Sequence, residues 1–340
     1  MMKIAMISQY LPSGSKIGVG YQAHEMAQRL TLRGHAVTMF SRYGPVPEAR
    51  YTTVQLPVTS PMSTFRFASL AAKTDYRGFD LIHAHTDDFL FPRHSQPPRV
   101  RTLHGSCFME ARYITGFRYK ARMTAIALTE WYAAATADRA VCNSSHTRRC
   151  FPGVNTIIPC GVDIAHYRTT APRRDPPTVL FVGTYRWRKR GKLLMEAFAR
   201  DVLPNIPQAR LWMVCEDAPE EKNVTVYGRV SSDKLVELYQ QAWVFCLPSV
   251  YEGFGVPYIE AMAAGSPVRA TPNPGAMAAL DGGTYGVICK PEKLGESLLK
   301  LLSNGSLRTG LSAAGMERAK RYDWGVVLDQ YETIYRETLS

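Results

Sequence analysis

Short apolar runs alternate with amphipathic stretches along this chain, and the alternation restarts midway. Residues 3–8 read as a strand, followed by a loop and a helix over about 20–32, and Arg33-Gly34-His35 turns into a strand over 36–41. Residues 79–83 and 99–103 predict further strands, 123–137 a helix, and 140–143 and 155–158 strands again. Strands separated by helices cannot be joined by hairpins, so they pair in parallel with crossovers on the sheet faces. The segment 169–177 is polar and proline-rich and predicts an interdomain linker. Beyond it the pattern resumes with strands at 178–183, 210–214 and 224–227 and helices at 191–199 and 231–241. The expected fold is α/β, with two Rossmann-like βαβ domains over residues 1–170 and 171–321. A closing amphipathic helix, about 322–340, is expected to pack back on the first.

At 340 residues and 46% hydrophobic, the chain can bury two cores. It has no run of eighteen apolar residues, and residues 1–8 form a strand pattern without a signal-peptide cleavage region. These features predict a cytoplasmic protein, in which the sequons at Asn143, Asn223 and Asn304 go unused. Seven cysteines without a C-x-x-C pair predict reduced thiols. The formal charge of +12 is uneven, +10 over residues 1–170 and +2 over 171–340. That asymmetry suits an anionic partner for the first half, either an anionic membrane or nucleic acid. No nucleic-acid-binding module is recognisable, so nucleic acid is set aside. The run Phe117-Arg118-Tyr119-Lys120-Ala121-Arg122 mixes aromatics with cations, which suits a pocket for an anionic or polar ligand, a bilayer surface or ordinary structural packing.

Chemistry concentrates in the second half. Glu252 and Glu260 stand eight residues apart, and at about 100° per residue eight helical steps return nearly to the same face. Between them Gly253-Phe254-Gly255-Val256 offers backbone N–H groups to a phosphate or sugar hydroxyl. An apolar run over 243–249 precedes this stretch and a helix ending near Gly265 and Pro267 follows it. In an open parallel sheet, a ligand meets such a strand-turn-helix at the carboxyl ends of the strands. The segment Thr184 to Lys192 carries five cations in nine residues just after a strand, suited to a leaving diphosphate.

Two other patterns compete. Gly18-Val19-Gly20-Tyr21-Gln22-Ala23 fits the dinucleotide fingerprint, yet about ten residues separate it from the first strand, and the second strand ends Phe40-Ser41-Arg42. An arginine there accepts a 2′-phosphate, which keeps an NADP-dependent oxidoreductase open. His83 and His85 pair without a third ligand at zinc spacing and read as polar surface, and Asp87-Asp88 is not a D-x-D metal motif. No metal and no resident cofactor are expected.

Taken with Val182-Gly183 and its basic segment, Val226-Tyr227-Gly228-Arg229-Val230, Ile158-Pro159-Cys160-Gly161-Val162-Asp163, Arg33-Gly34-His35 and Asp80-Leu81-Ile82-His83-Ala84-His85, the Glu252…Glu260 element resembles the retaining family 4 glycosyltransferases (glycosyltransferases group 1) over nearly the whole chain. The resemblance implies a GT-B fold, two domains facing across a cleft, and metal-independent transfer from a nucleotide-diphospho-sugar to a glycan, glycolipid or small-molecule glycoside. It implies that Glu260 accepts hydrogen bonds from ribose hydroxyls, that Glu252 meets the transferred sugar, and that His104 touches that sugar from the first domain. Gly228, Arg229 and Val230 would meet the nucleobase, and a Gly18–Gly20 loop the donor phosphates. Relatives carry an arginine directly after the glycine where this chain has Thr184, so Arg186 or Arg188 substitutes. For the family lysine, counting from Gly183 gives Lys189, whereas counting back from Gly191 gives Arg190. The competing non-enzymatic reading is a sugar-nucleotide-binding scaffold.

Overall fold

The computed structural model describes residues 1–15, 17–59, 62–94, 97–113, 116–169, 171, 173 and 175–340. The chain divides into two units, Met1–Gly161 with Trp324–Ser340, and Val162–Asp323.

The first unit is built on seven parallel strands: β1 (Lys3–Ile7), β2 (Ala36–Ser41), β3 (Thr52–Gln55), β4 (Leu81–Ala84), β5 (Arg99–Leu103), β6 (Arg139–Cys142) and β7 (Thr156–Ile157). Their order is β3-β2-β1-β4-β5-β6-β7. In register, Ile7 lies between Phe40 and Ala84. All of β4 and β5 and most of β1 are buried, as expected of strands covered on both faces. The closing helix, Trp324–Leu339, belongs to this unit and buries Val327, Leu328, Tyr331 and Tyr335 in its core. It is fastened through Tyr335, whose hydroxyl lies 2.6 Å from His83 Nδ1, and through Tyr331, 2.9 Å from Thr102 Oγ1.

The second unit has six parallel strands: β8 (Thr178–Val182), β9 (Arg210–Val214), β10 (Val224–Val226), β11 (Val244–Leu247), β12 (Val268–Ala270) and β13 (Val287–Ile288). They run in the order β10-β9-β8-β11-β12-β13. In each sheet the strand order reverses once, between β1 and β4 and between β8 and β11. At such switch points the segments leaving the carboxyl ends of the two strands turn to opposite sides and open a crevice. Among the described residues, no helix is long and apolar enough to cross a membrane.

Four expectations are corrected. The division falls at Gly161/Val162, nine residues before the expected boundary. The proline-rich segment belongs to the second unit: the short helix Ile164–Tyr167 packs there, Gln240 Nε2 donates to Tyr167 O, and Arg173 donates to Ala242 O and Ala264 O. Thr170, Pro172 and Arg174 of that segment lie outside the described residues. Gly18 and Gly20 do not form a loop; they are the first turn of the helix Gly18–Leu32. A Cβ on Gly20 would lie 2.8 Å from the Tyr10 carbonyl carbon, so this glycine lets the helix approach the segment after β1. His83 and His85 are buried rather than on the surface.

Candidate functional site

In the second unit two segments flank the switch point, residues 183–190 after β8 and 248–255 after β11. Their backbones join where Val250 N–H donates to Arg188 O at 2.8 Å. Trp187 and Arg190 adopt left-handed φ values of 64° and 55°, strained positions for non-glycine residues. This winding brings Lys189 Nζ to 2.7 Å from Glu252 Oε1. The lysine stem lies over Gly183, where a Cβ would be 3.1 Å from Lys189 Cβ and Cγ. Arg188 donates from Nη1 to Tyr251 O at 2.8 Å and stands 3.8 Å from Glu252 Oε2. Among the described residues Arg190 forms no ion pair; its N–H donates to Trp187 O as the helix Gly191–Ala197 begins. Of the two counts for the lysine position, the one giving Lys189 is the residue brought to Glu252. Thr184 and Arg186 are exposed, with Thr184 Oγ1 donating to Arg186 O at 3.0 Å.

The helical reading of the two acids does not hold. The helix is Val256–Ala263, so Glu252 precedes it and Glu260 is its fifth residue. Gly255 has φ +87° and Pro257 follows at the helix start, so the chain enters the helix through a left-handed turn that a helix-face argument does not anticipate. Glu252 is set instead by backbone: its carbonyl accepts Gly275 N–H at 2.8 Å, and a Cβ on Gly275 would come within 2.7 Å of Glu252 Cβ. Asn273 braces the same loop, donating from Nδ2 to Ser249 O at 3.2 Å. The sequence reasoning passed over both, although Asn273-Pro274-Gly275 carries a turn signature that points to the position.

Glu260 is half-buried and accepts a 2.9 Å hydrogen bond from Tyr239 on Oε2. Burial holds its carboxyl above the usual range, opposed by hydrogen bonds from Tyr239 and Tyr167 and by the charge of Lys189. Lys189 thus acts on both acids. The tyrosines meet edge to face at 5.7 Å, a pairing across distant segments that left no local signal. Gly228, Arg229 and Val230 follow β10 at the same end of the sheet; Gly228 has φ +61° and Arg229 is exposed.

In the first unit, the segments after β4 and β5 carry His85 to Asp88 and His104 to Ser106. His85 and His104 stack with centroids 5.2 Å apart, and His85 Nδ1 lies 2.9 Å from His104 Nε2. Burial pushes His104 and His83 down to about 3 and His85 well below its ordinary value, so all three are neutral at pH 7. Among the described residues no group of three or more His, Cys, Asp or Glu is arranged to hold a metal, and both His83 ring nitrogens face hydroxyls, those of Tyr335 and Thr102. A cavity of about 330 Å³ opens beside His85 and His104. It is walled further by Asp87, Ser106 and Glu130, which the sequence reading did not single out as ligand-facing.

Known proteins match at both levels. Residues 17–166 match the family described as Glycosyltransferase Family 4, and residues 165–318 that described as Glycosyl transferases group 1. The phosphatidyl-myo-inositol mannosyltransferase of Mycobacterium tuberculosis is 25% identical over 100% of this chain and 97% of its own. The GDP-mannose:cellobiosyl-diphosphopolyprenol alpha-mannosyltransferase of Komagataeibacter xylinus is 26% identical over 94% of this chain and 88% of its own. Among solved structures, a sucrose-phosphate synthase from Thermosynechococcus elongatus superposes with a TM-score of 0.82 at 22% identity, covering 99% of both chains. Anabaena HepE in complex with UDP and glucose gives 0.77 at 18%, over 98% of this chain and 99% of that one.

Proposed function

We propose, from the premise that this chain belongs to the group 1, family 4 glycosyltransferases with the GT-B fold, that it is a retaining, metal-independent hexosyltransferase using a nucleotide-diphospho-sugar donor. The observation that carries this reading is the Lys189–Glu252 pair at the β8/β11 switch point, with Glu260 under the same lysine. A diphosphate arriving there supplies the charge that lets Lys189 release Glu252, and Lys189 and Arg188 then stabilise the leaving group as charge develops on it. Glu260 accepts the ribose hydroxyls, Glu252 meets the transferred sugar with the Gly253–Val256 amides, and His104, neutral at pH 7, serves as hydrogen-bond partner to that sugar. Retention follows a front-face route in which the departing phosphate takes the acceptor proton, so positioning and charge stabilisation do most of the work.

Thermal-shift screening against UDP-, GDP-, ADP- and TDP-sugars identifies the donor, because a ligand of the folded state raises Tm by mass action. The product keeps the donor's anomeric configuration by NMR, and EDTA leaves the rate unchanged. An inverted product, or a rate restored only by added divalent metal, would refute the mechanism.

The acceptor is handled by the first unit at a membrane surface. The helix Phe117–Thr136 leaves Phe117 86%, Tyr119 66% and Leu128 70% exposed, with Trp131 and Tyr132 more than half exposed. Arg112, Arg118, Lys120 and Arg122 lie among them. Exposed apolar side chains interleaved with cations suit an anionic bilayer, each cation contributing about 1 kcal/mol near its surface. The lipid words in the names of the mycobacterial and Komagataeibacter relatives accord with this. The protein is expected to co-sediment with anionic vesicles at low salt, to be released as salt rises, and to ignore neutral vesicles. Equal recovery in the supernatant throughout would leave a soluble acceptor and a protein confined to the cytoplasm.

A further inference from the structure

We propose that the cavity in the first unit is an acceptor subsite for an ammonium-bearing polyol, an amino-substituted sugar or cyclitol, and that Asp87 is the residue that selects it. The inference builds on the transferase reading and names the acceptor class.

The cavity lies at the carboxyl ends of β4 and β5, beside the β1/β4 switch point, and at about 330 Å³ it has the size of a small-ligand site. Its walls hold polar atoms that lack a partner among the described residues: His85 Nε2 and Ser106 Oγ, on side chains only 2% exposed, and Asp87 Oδ2. Asp88 Oδ2 and Arg101 Nε, on two further lining residues, also lack a hydrogen-bond partner among the described residues. Buried polar atoms are ordinarily hydrogen-bonded, and five around one cavity mark a place where a ligand completes them. Asp87 is also held at φ +54°, a left-handed conformation that turns the chain at the cavity wall.

The sign of the walls selects the ligand. Asp87, Glu110 and Glu130 line the cavity. The Arg101 guanidinium pairs through Nη1 with Asp88 at 2.6 Å, a carboxylate that Arg99 shares at 3.3 Å, and Arg122, the other lining cation, is exposed to solvent. Glu130 is already occupied, accepting from Cys107 N–H at 2.9 Å and from its thiol at 3.0 Å. The neutral histidines add no charge. Asp87 feels Arg101, Asp88 and Glu130 and is hydrogen-bonded by Thr86, yet burial still pushes its carboxyl up to about 7. A phosphate or carboxylate entering such a pocket faces the carboxyl groups of Asp87, Glu110 and Glu130, against Arg101 Nε as a cationic donor. A neutral hydroxyl satisfies Ser106 and His85 but leaves Asp87 without a counter-charge, and an ammonium supplies one.

The test compares glucosamine, glucose and glucuronic acid as probes, by isothermal titration with the full-length protein and with Asp87→Asn, alongside UDP binding to both. Asparagine is isosteric and tolerates the left-handed backbone, so the variant is expected to fold, with a Tm equal to or above the parent's. The parent is expected to bind glucosamine about tenfold more tightly than glucose, and glucuronic acid most weakly. Asp87→Asn is expected to bring glucosamine and glucose to within about twofold of each other. Glucose or glucuronic acid binding as well as glucosamine, absence of binding by all three, or an unchanged preference in Asp87→Asn would overturn the proposal. Retained UDP binding in those cases keeps the transferase reading, and failure to bind any nucleoside diphosphate would remove that reading instead.

Discussion

Replacing Lys189 by Gln is expected to lower sugar transfer by roughly two to three orders of magnitude, the usual cost of removing one pre-positioned donor to a developing charge. The nucleoside diphosphate should bind more weakly while the nucleoside alone binds within about twofold of the parent, as the proposed role of the lysine at the phosphates requires. The structure adds a second consequence. Glu252 is 7% exposed and Lys189 18%, so removing the lysine leaves a buried carboxylate with only Arg188, 3.8 Å away, to balance it, at a cost of up to about 3–5 kcal/mol. The variant should therefore melt earlier than the parent, and adding Glu252→Gln should restore most of the lost stability without restoring activity. Arg190→Gln, which removes a side chain that forms no ion pair among the described residues, should do less on both counts. Steady-state kinetics and calorimetric titration separate the cases. Equal loss of nucleoside and diphosphate affinity, or a larger effect from Arg190→Gln, would move the diphosphate site away from Lys189.

Much of this arrangement was legible because strands alternating with helices write themselves plainly: β2 and β9 fall at the residues their apolar patterns predict, β5 does so although two of its five residues are arginines, and the closing helix does too. What failed, failed for identifiable reasons. The proline-rich segment looked like a linker because composition does not reveal that Arg173 caps the carbonyls of Ala242 and Ala264. The Glu252…Glu260 spacing was argued from helix geometry, whereas what the two acids share in the structure is Lys189. A left-handed Gly255 and the close approach of Gly275, twenty residues on, place Glu252, and only three-dimensional contact reveals them. His83 and His85 resemble surface residues in the sequence because what buries them is distant in the chain: Tyr335, more than two hundred residues later, meets His83, and His85 stacks against His104. Asp87 carries no local signal beyond its poor match to a metal motif, since its surroundings depend on Arg101 pairing with Asp88, a contact between β5 and the segment after β4.

Glu252 and Glu260 are expected to respond to neutralisation with opposite signs in stability, which gives the sharpest separation of their roles. Glu252 is held by Lys189, so Glu252→Gln removes half of a buried pair and should lower Tm along with turnover, affecting kcat more than donor affinity. Glu260 is different: burial raises its carboxyl, so in the folded protein the charged form is disfavoured relative to the unfolded chain. A raised acid destabilises the fold increasingly as pH climbs through the unfolded carboxylate range, and the penalty is absent below it. Glu260→Gln keeps an oxygen for the Tyr239 hydroxyl while removing that charge, so it should melt higher than the parent at pH 7 and equal it near pH 4. It should also lose about 1–3 kcal/mol of nucleotide affinity, because a ribose hydroxyl donates more strongly to a carboxylate than to an amide. The result would be a stability gained at the expense of binding, the mark of a residue kept for its ligand. Melting curves at the two pH values and titration with the nucleoside diphosphate decide it: a Glu260→Gln protein that melts lower at pH 7, or binds nucleotide as tightly as the parent, would show that the carboxylate serves the fold and that the ribose is held elsewhere.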